Sequence, residues 1–168
     1  MSDGMADDGS DAIAALAHQL VERYTAKGWT LATAESCTGG LVAGAITEIA
    51  GSSAVLDRGF LTYSNQAKID MLGVDAESLA KNGAVSELVA RQMAEGARQR
   101  ARVSVAVSIT GIAGPGGGSA EKPVGLVHFA CASPSGTVHR EERFGNLGRA
   151  AVRRASVLVA LRLFRACL

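Results

Sequence analysis

Short apolar, β-leaning runs alternate with stretches of helical period along this chain, and no other feature restricts its fold as much. The clearest run is 103–109 (VSVAVSI), apolar and β-branched enough for a strand covered on both faces. Residues 29–34 (WTLATA) and a segment within 54–63 ending in FLTY read the same way. Residues 124–132 and 137–144 are two more, and Ser133-Pro134-Ser135-Gly136 between them has hairpin length and chemistry. The intervening stretches carry helical signals. Ile13, Leu16, Leu20, Val21 and Tyr24 recur at helical spacing between Asp11, a cap, and Gly28, a stop. An Ala/Gly-rich helix follows the first strand, Ser64 or Asn65 opens a short one to 71, and Asp75 starts another. Ser86 precedes a longer amphipathic helix with Leu88, Val89 and Met93 turned inward, and 147–167 closes the chain with Val152, Val157, Leu161 and Phe164. Strands alternating with helices, plus one hairpin, predict an α/β fold: a three-layer α/β/α sandwich with a mixed β-sheet. At 168 residues and 48% hydrophobic content there is material for one full core. A single domain is therefore expected over 11–168, behind an acidic, disordered tail at 1–10.

Charge and cysteine usage narrow the function. Lys plus Arg number 17 against 16 Asp plus Glu, so no global field exists to hold a nucleic acid or an anionic membrane surface. Aromatics make up only 4%, too few for a base-stacking platform. No apolar run reaches the roughly 18 residues of a membrane span, and the N-terminus lacks the basic and apolar blocks of a signal peptide. Cys37, Cys131 and Cys167 are odd in number and widely spaced, which indicates neither a disulfide framework nor a metal site. The expected setting is a reducing cytoplasm.

The candidate chemistry centres on Glu35-Ser36-Cys37-Thr38-Gly39-Gly40, between the first strand and its helix. Backbone N–H groups converge there, and Thr38, Gly39 and Gly40 are small enough for the main chain to come within about 3 Å of a developing oxyanion. Ser36 is then a candidate nucleophile; the alternative is that Ser36 or Thr38 only caps the helix. Cys37 competes for the role, since a thiol at a helix N-terminus is often acidified. His18, His128 and His139 offer it no evident base and read as packed or solvated side chains. Tyr63, closing a strand, and Lys68, about one helical turn into the next segment, can activate a serine without histidine, unless they are an amphipathic tyrosine and a surface lysine. Thr110, Gly111 and Gly114 belong to a Gly-rich stretch at 110–123 that fits neither the dinucleotide nor the Walker pattern. It reads as a loop that binds an anion through its N–H groups or packs on itself. Arg149 and Arg153 share a helix face suited to clamping a phosphate, or simply face solvent.

In order, AESCTGG (34–40), GSS (51–53), RGFLTYSNQAK (58–68), LGV (72–74), GAVSE (83–87), SITGIAGPGGG (108–118) and EKPVGLVHFA (121–130) resemble the CinA C-terminal domain family across residues 11–165. The resemblance implies an amidohydrolase that converts the carboxamide of a pyridine nucleotide, nicotinamide mononucleotide, to the acid with release of ammonia, without metal or cofactor, in bacterial pyridine-nucleotide salvage. It implies Ser36 as nucleophile, Tyr63 and Lys68 as its activating groups, Thr38, Gly39 and Gly40 as the oxyanion and substrate turn, and 110–118 as the loop bordering the substrate. It implies the standalone form, without the molybdopterin-binding-like domain of longer relatives. Two places depart from the family pattern: Gly116 stands where many relatives carry Asp, and 144–149 (FGNLGR) is longer than the usual F-x-G-D-R. The apolar stripe and arginine face of the last helix point to a homo-oligomer, most simply a dimer. The competing reading is a non-catalytic nucleotide-binding or competence-associated module, which would have little use for Ser36, Tyr63 and Lys68 together.

Overall fold

The computed structural model describes residues 8–168, and the stretch 1–7 of the expected tail lies outside the described residues. Helix α1 runs Asp8–Lys27, so residues 8–10 are helical and the helix starts before the cap read at Asp11. Strands β1 (Leu31–Glu35), β2 (Leu56–Leu61), β3 (Val105–Gly111), β4 (Leu126–Ser133) and β5 (Gly136–Arg143) form one sheet in the order β2-β1-β3-β4-β5. β1 lies parallel to β2 and β3, while β4 is antiparallel to β3 and β5. This is the mixed sheet expected. One boundary differs in a way that matters: Thr110 and Gly111, read as the start of a loop, are the last residues of β3 and pair with His128 and Val127. The long β4 supplies ladder partners that local composition cannot reveal.

Alternation along the central strands divides the core in two. Leu31, Val105, Val107, Ile109, Val127 and Phe129 face α1, α2 (Leu41–Thr47) and α6 (Arg149–Ala166). Ala32, Ala34 and Ala106 face α3 (Asn65–Leu72), α4 (Ala76–Asn82) and α5 (Glu87–Ala101). The helices therefore cover both faces, giving three layers. The second face is lined by alanines, so its helices pack close together; a side chain at Gly96 of α5 would collide with the Leu72 carbonyl of α3. In α5, Val89 and Met93 are buried as expected, whereas Leu88 points outward.

Helix α6 uses its apolar stripe inside the chain. Val152, Val157, Leu161 and Phe164 are all buried, each contributing about 2 kcal/mol of apolar burial. The buried Tyr24 phenol donates to the Phe164 carbonyl at 2.8 Å and meets that ring edge-on. The stripe is thus accounted for without a partner subunit. At the end of α6, Cys167 meets Cys131 of β4 with Cα atoms 7.5 Å apart, a pairing not announced by spacing and wider than the roughly 4.4–6.8 Å of a relaxed disulfide. Among the described residues no helix is long and apolar enough to cross a membrane.

The connections place the site. After β1 the chain crosses to β2 on one side, and after β3 it turns to β4 on the other. Strands that diverge in this way open a crevice at their carboxyl ends, where ligands of open α/β sheets bind.

Candidate active site

At that crevice β1 ends in a turn whose helix cap comes from an unexpected residue. The N-cap of α2, Gly40, sits at φ 99° and has no side chain to offer. The cap is Glu35. Its buried carboxylate accepts the N–H groups of Val42 and Ala43 at 2.9 and 3.0 Å, together with the hydroxyls of Thr38 at 2.7 Å and Thr33 at 3.1 Å. An anion at a helix N-terminus is favoured both by the orphan N–H groups and by the dipole. Neither Ser36 nor Thr38 is therefore the cap. Thr38 is fully buried with its hydroxyl turned to Glu35, and the Ser36 hydroxyl is left for other use.

That use is Lys68. Placed one turn into α3 behind its Ser64 cap, Lys68 is 1% exposed, and its Nζ lies 3.1 Å from Ser36 Oγ, 2.8 Å from the Thr62 carbonyl and 3.3 Å from the Tyr63 carbonyl. Burial strips water from the ammonium, and the pKa falls from its ordinary value to about 8. A neutral amine has two N–H donors and one lone pair. The carbonyls of Thr62 and Tyr63 can only accept, so they take the two N–H groups, and the lone pair is left toward the Ser36 hydroxyl. Cys37 moves the other way: it is buried, and desolvation pushes its thiol up to about 11. The acidified thiol expected at a helix N-terminus is not formed.

Ser36, Cys37, Tyr63, Lys68, Thr110, Gly111 and Arg149 line one cavity of about 220 Å³, with Asn65, Ala84, Val85 and Ala113 completing it. Of the residues singled out in the sequence, Ser36, Tyr63, Lys68, Thr110, Gly111 and Arg149 thus come together. Tyr63 is 63% exposed at the rim, where its hydroxyl accepts from Arg149 at 3.1 Å, so that only its carbonyl reaches Lys68. Arg149 also donates to the Gly114 carbonyl at 2.9 Å, tying the Gly-rich loop to the mouth. Gly114 has φ 84° and precedes a cis bond to Pro115, and a Cβ there would lie 2.6 Å from Val124. Thr110 gives its hydroxyl to the Ala84 carbonyl at 2.9 Å. Thr38, Gly39, Gly40 and Arg153 do not line the cavity; Arg153 instead donates to the Cys37 and Thr38 carbonyls at 3.1 and 3.4 Å. His128 and His139 stack on each other outside it, their ring nitrogens 2.9 Å apart. A larger cleft of about 730 Å³ at the far end of α5 brings together Arg98, Arg102 and Thr137 but no such serine and lysine. Sequence reasoning missed Asn65, Ala84 and Val85 as lining residues, although RGFLTYSNQAK and GAVSE, which contain them, are among the segments that resemble the family. Among the described residues no group of three or more His, Cys, Asp or Glu is placed to hold a metal ion.

A doubly covered mixed sheet whose switch point holds a half-buried serine against a buried lysine defines an α/β protein with a ligand crevice at its strand ends. The chain belongs to the CinA C-terminal domain family, which it matches over residues 13–168. It is 56% identical over 147 residues to nicotinamide-nucleotide amidohydrolase PncC of Escherichia coli K12, covering 87% of this chain and 88% of that protein. It is also 56% identical over 142 residues to a CinA-like protein of Syntrophobacter fumaroxidans, covering 84% of this chain but only 33% of that longer protein. In structure it is similar to a competence/damage inducible protein, CihA, from Agrobacterium tumefaciens, with a TM-score of 0.92, 57% identity and coverage of 93% and 95%.

Proposed function

We propose that this protein hydrolyses the carboxamide of nicotinamide mononucleotide to the carboxylate with release of ammonia, in pyridine-nucleotide salvage, using Ser36 as nucleophile and Lys68 as general base. The observation that carries the reading is the 3.1 Å approach of a buried lysine, poised at about 8, to Ser36 Oγ. At pH 7 a group of that pKa is neutral in about a tenth of molecules, against about three in ten thousand for an ordinary lysine. Lys68 takes the hydroxyl proton as Oγ bonds to the amide carbon. It returns the proton to nitrogen as the C–N bond breaks and ammonia leaves, and water then hydrolyses the ester by the same route. No metal is required for these steps. Ser36 N–H is engaged by the Ile109 carbonyl and Gly39 N–H by the Ser36 carbonyl, and of the remaining turn residues only Cys37 lines the cavity, so its N–H is the candidate oxyanion donor.

The cavity suits one aromatic ring with its amide, since ligands of drug size need about 300 Å³ or more. Thr110 and Gly111 border that ring, and Gly114 acts at the mouth through its carbonyl bond to Arg149. Arg149, now holding only neutral oxygens at the mouth, is placed to exchange them for the nucleotide phosphate. The 56% identity to a protein named nicotinamide-nucleotide amidohydrolase supports the substrate class. The deciding experiment is incubation of purified protein with nicotinamide mononucleotide, with ammonia and the acid product quantified and Ser36→Ala as control. Binding without ammonia would replace this reading with the non-catalytic module.

A further inference from the structure

Two side chains of opposite charge grip the Ser36 turn, and neither lines the cavity that holds the serine–lysine pair. Glu35 holds its donor side: each carboxylate oxygen accepts two hydrogen bonds, one from a threonine hydroxyl, Thr38 or Thr33, and one from the first turn of α2. Arg153 of α6 holds its acceptor side, giving Nε to the Cys37 carbonyl and Nη2 to the Thr38 carbonyl. The segment Cys37-Thr38 thus gives its carbonyls to a guanidinium and its threonine hydroxyl to a carboxylate. We propose that Glu35 and Arg153 form a clamp that positions Ser36 Oγ against Lys68, so that both are positioning residues and Arg153 is not a reader of the substrate phosphate.

The clamp answers a local weakness. Gly39 and Gly40 at φ 60° and 99° give the turn the reach it needs, yet glycines resist rearrangement least. The Ser36–Lys68 contact spans 32 residues between separate elements, and a misplacement of about 1 Å at a reacting group costs about 100-fold in rate. Charge-assisted bonds from two different layers of the fold remove that freedom. Their chemistry is specific. A carboxylate only accepts, so Glu35→Gln turns an amide N–H₂ toward groups that are themselves donors. Lysine lacks the planar fork that spans two carbonyls, so Arg153→Lys keeps the charge and loses the grip.

The inference rests on the serine–lysine reading, and its test separates the two. Glu35→Gln, Thr38→Val and Arg153→Lys are compared with wild type and Ser36→Ala in three measurements. The first is folding, by thermal circular dichroism. The second is kcat and KM for nicotinamide mononucleotide and for the phosphate-free riboside. The third is labelling of Ser36 by a fluorophosphonate, in which Oγ displaces fluoride from phosphorus and no nucleotide is involved. In variants folded at the assay temperature we expect kcat to fall by about 10- to 100-fold, KM to stay within about threefold, both substrates to suffer equally, and labelling to slow in parallel. Folded Glu35→Gln with kcat and labelling within about threefold of wild type would leave Glu35 a mere helix cap and overturn the clamp. A loss in Arg153→Lys confined to the KM of the phosphorylated substrate would overturn it too. If Glu35→Gln does not fold, Thr38→Val, which removes one hydroxyl from the same carboxylate, decides by the same criteria. A wild type that labels but releases no ammonia refutes the amidohydrolase reading while the labelling rates still judge the clamp; one that neither labels nor turns over refutes both.

Discussion

Lys68→Met turns the proposed base into a measurable property of the folded chain. Folding moves the lysine from an ordinary value of 10.5 to about 8, a difference of about 2.5 units and hence about 3 kcal/mol. Because the folded value is depressed, the folded state resists protonation. Below about pH 8 both states carry the proton and wild type bears the whole cost; between about 8 and 10.5 the unfolded state holds more protons and stability rises with pH; above that the cost is gone. The side chain is 1% exposed, so solvent screening does little to reduce the figure. Methionine fills similar space without charge, and loss of the bonds to the Thr62 and Tyr63 carbonyls adds an offset independent of pH. The stability of Lys68→Met minus that of wild type should therefore shrink by about 3 kcal/mol as pH rises from about 8 to 10.5, in urea unfolding followed by circular dichroism. Titration of Cys37, pushed up to about 11, is common to both proteins and largely cancels. A difference that stays flat across this range would show that Lys68 is not desolvated and remove the basis for its role.

The activity should carry the same signature: kcat/KM rises about tenfold per pH unit below about 8 and levels above it, and a profile flat from pH 6 to 9 would contradict a lysine base. Ser36→Ala should abolish ammonia release with an unchanged melting curve, whereas Cys37→Ala, removing a buried thiol held protonated, should keep substantial activity; turnover of Ser36→Ala within about threefold of wild type would sink the nucleophile assignment. Arg149→Ala should raise KM for nicotinamide mononucleotide more than for the riboside, and equal increases would show that it does not read the phosphate. Exposed Leu61, Tyr63 and Leu147 stand at or within two residues of the cavity rim, and we expect a dimer; a monomer mass across a dilution series in light scattering rules it out.

Much of the fold was legible because its signals are local. The buried strand at 103–109, the hairpin turn, the Ser86 cap and the stripe of α6 each depend on periodicity or turn chemistry within a few residues, and the alternation of strands with helices follows from them. The likeness of AESCTGG and RGFLTYSNQAK to a family pointed to Ser36, Tyr63 and Lys68, but it could not divide their work. The tertiary structure sets them in different surroundings. Lys68 is buried between the nearby Thr62 and Tyr63 carbonyls and the hydroxyl of Ser36, 32 residues away, while Tyr63 lies exposed at the rim, where Arg149 of α6 meets its hydroxyl. By sequence Glu35 is only the first residue of the turn after the strand; its capping of a helix seven residues on depends on how α2 folds back over β1. Spacing along a helix tells that Arg149 and Arg153 share a face but not what that face meets, and Arg153 meets the Cys37 and Thr38 carbonyls. Sequence fixes each side chain's chemistry and its local direction, while burial, and with it the pKa and partners of a charged group, is a sum over neighbours that only the packed chain brings together.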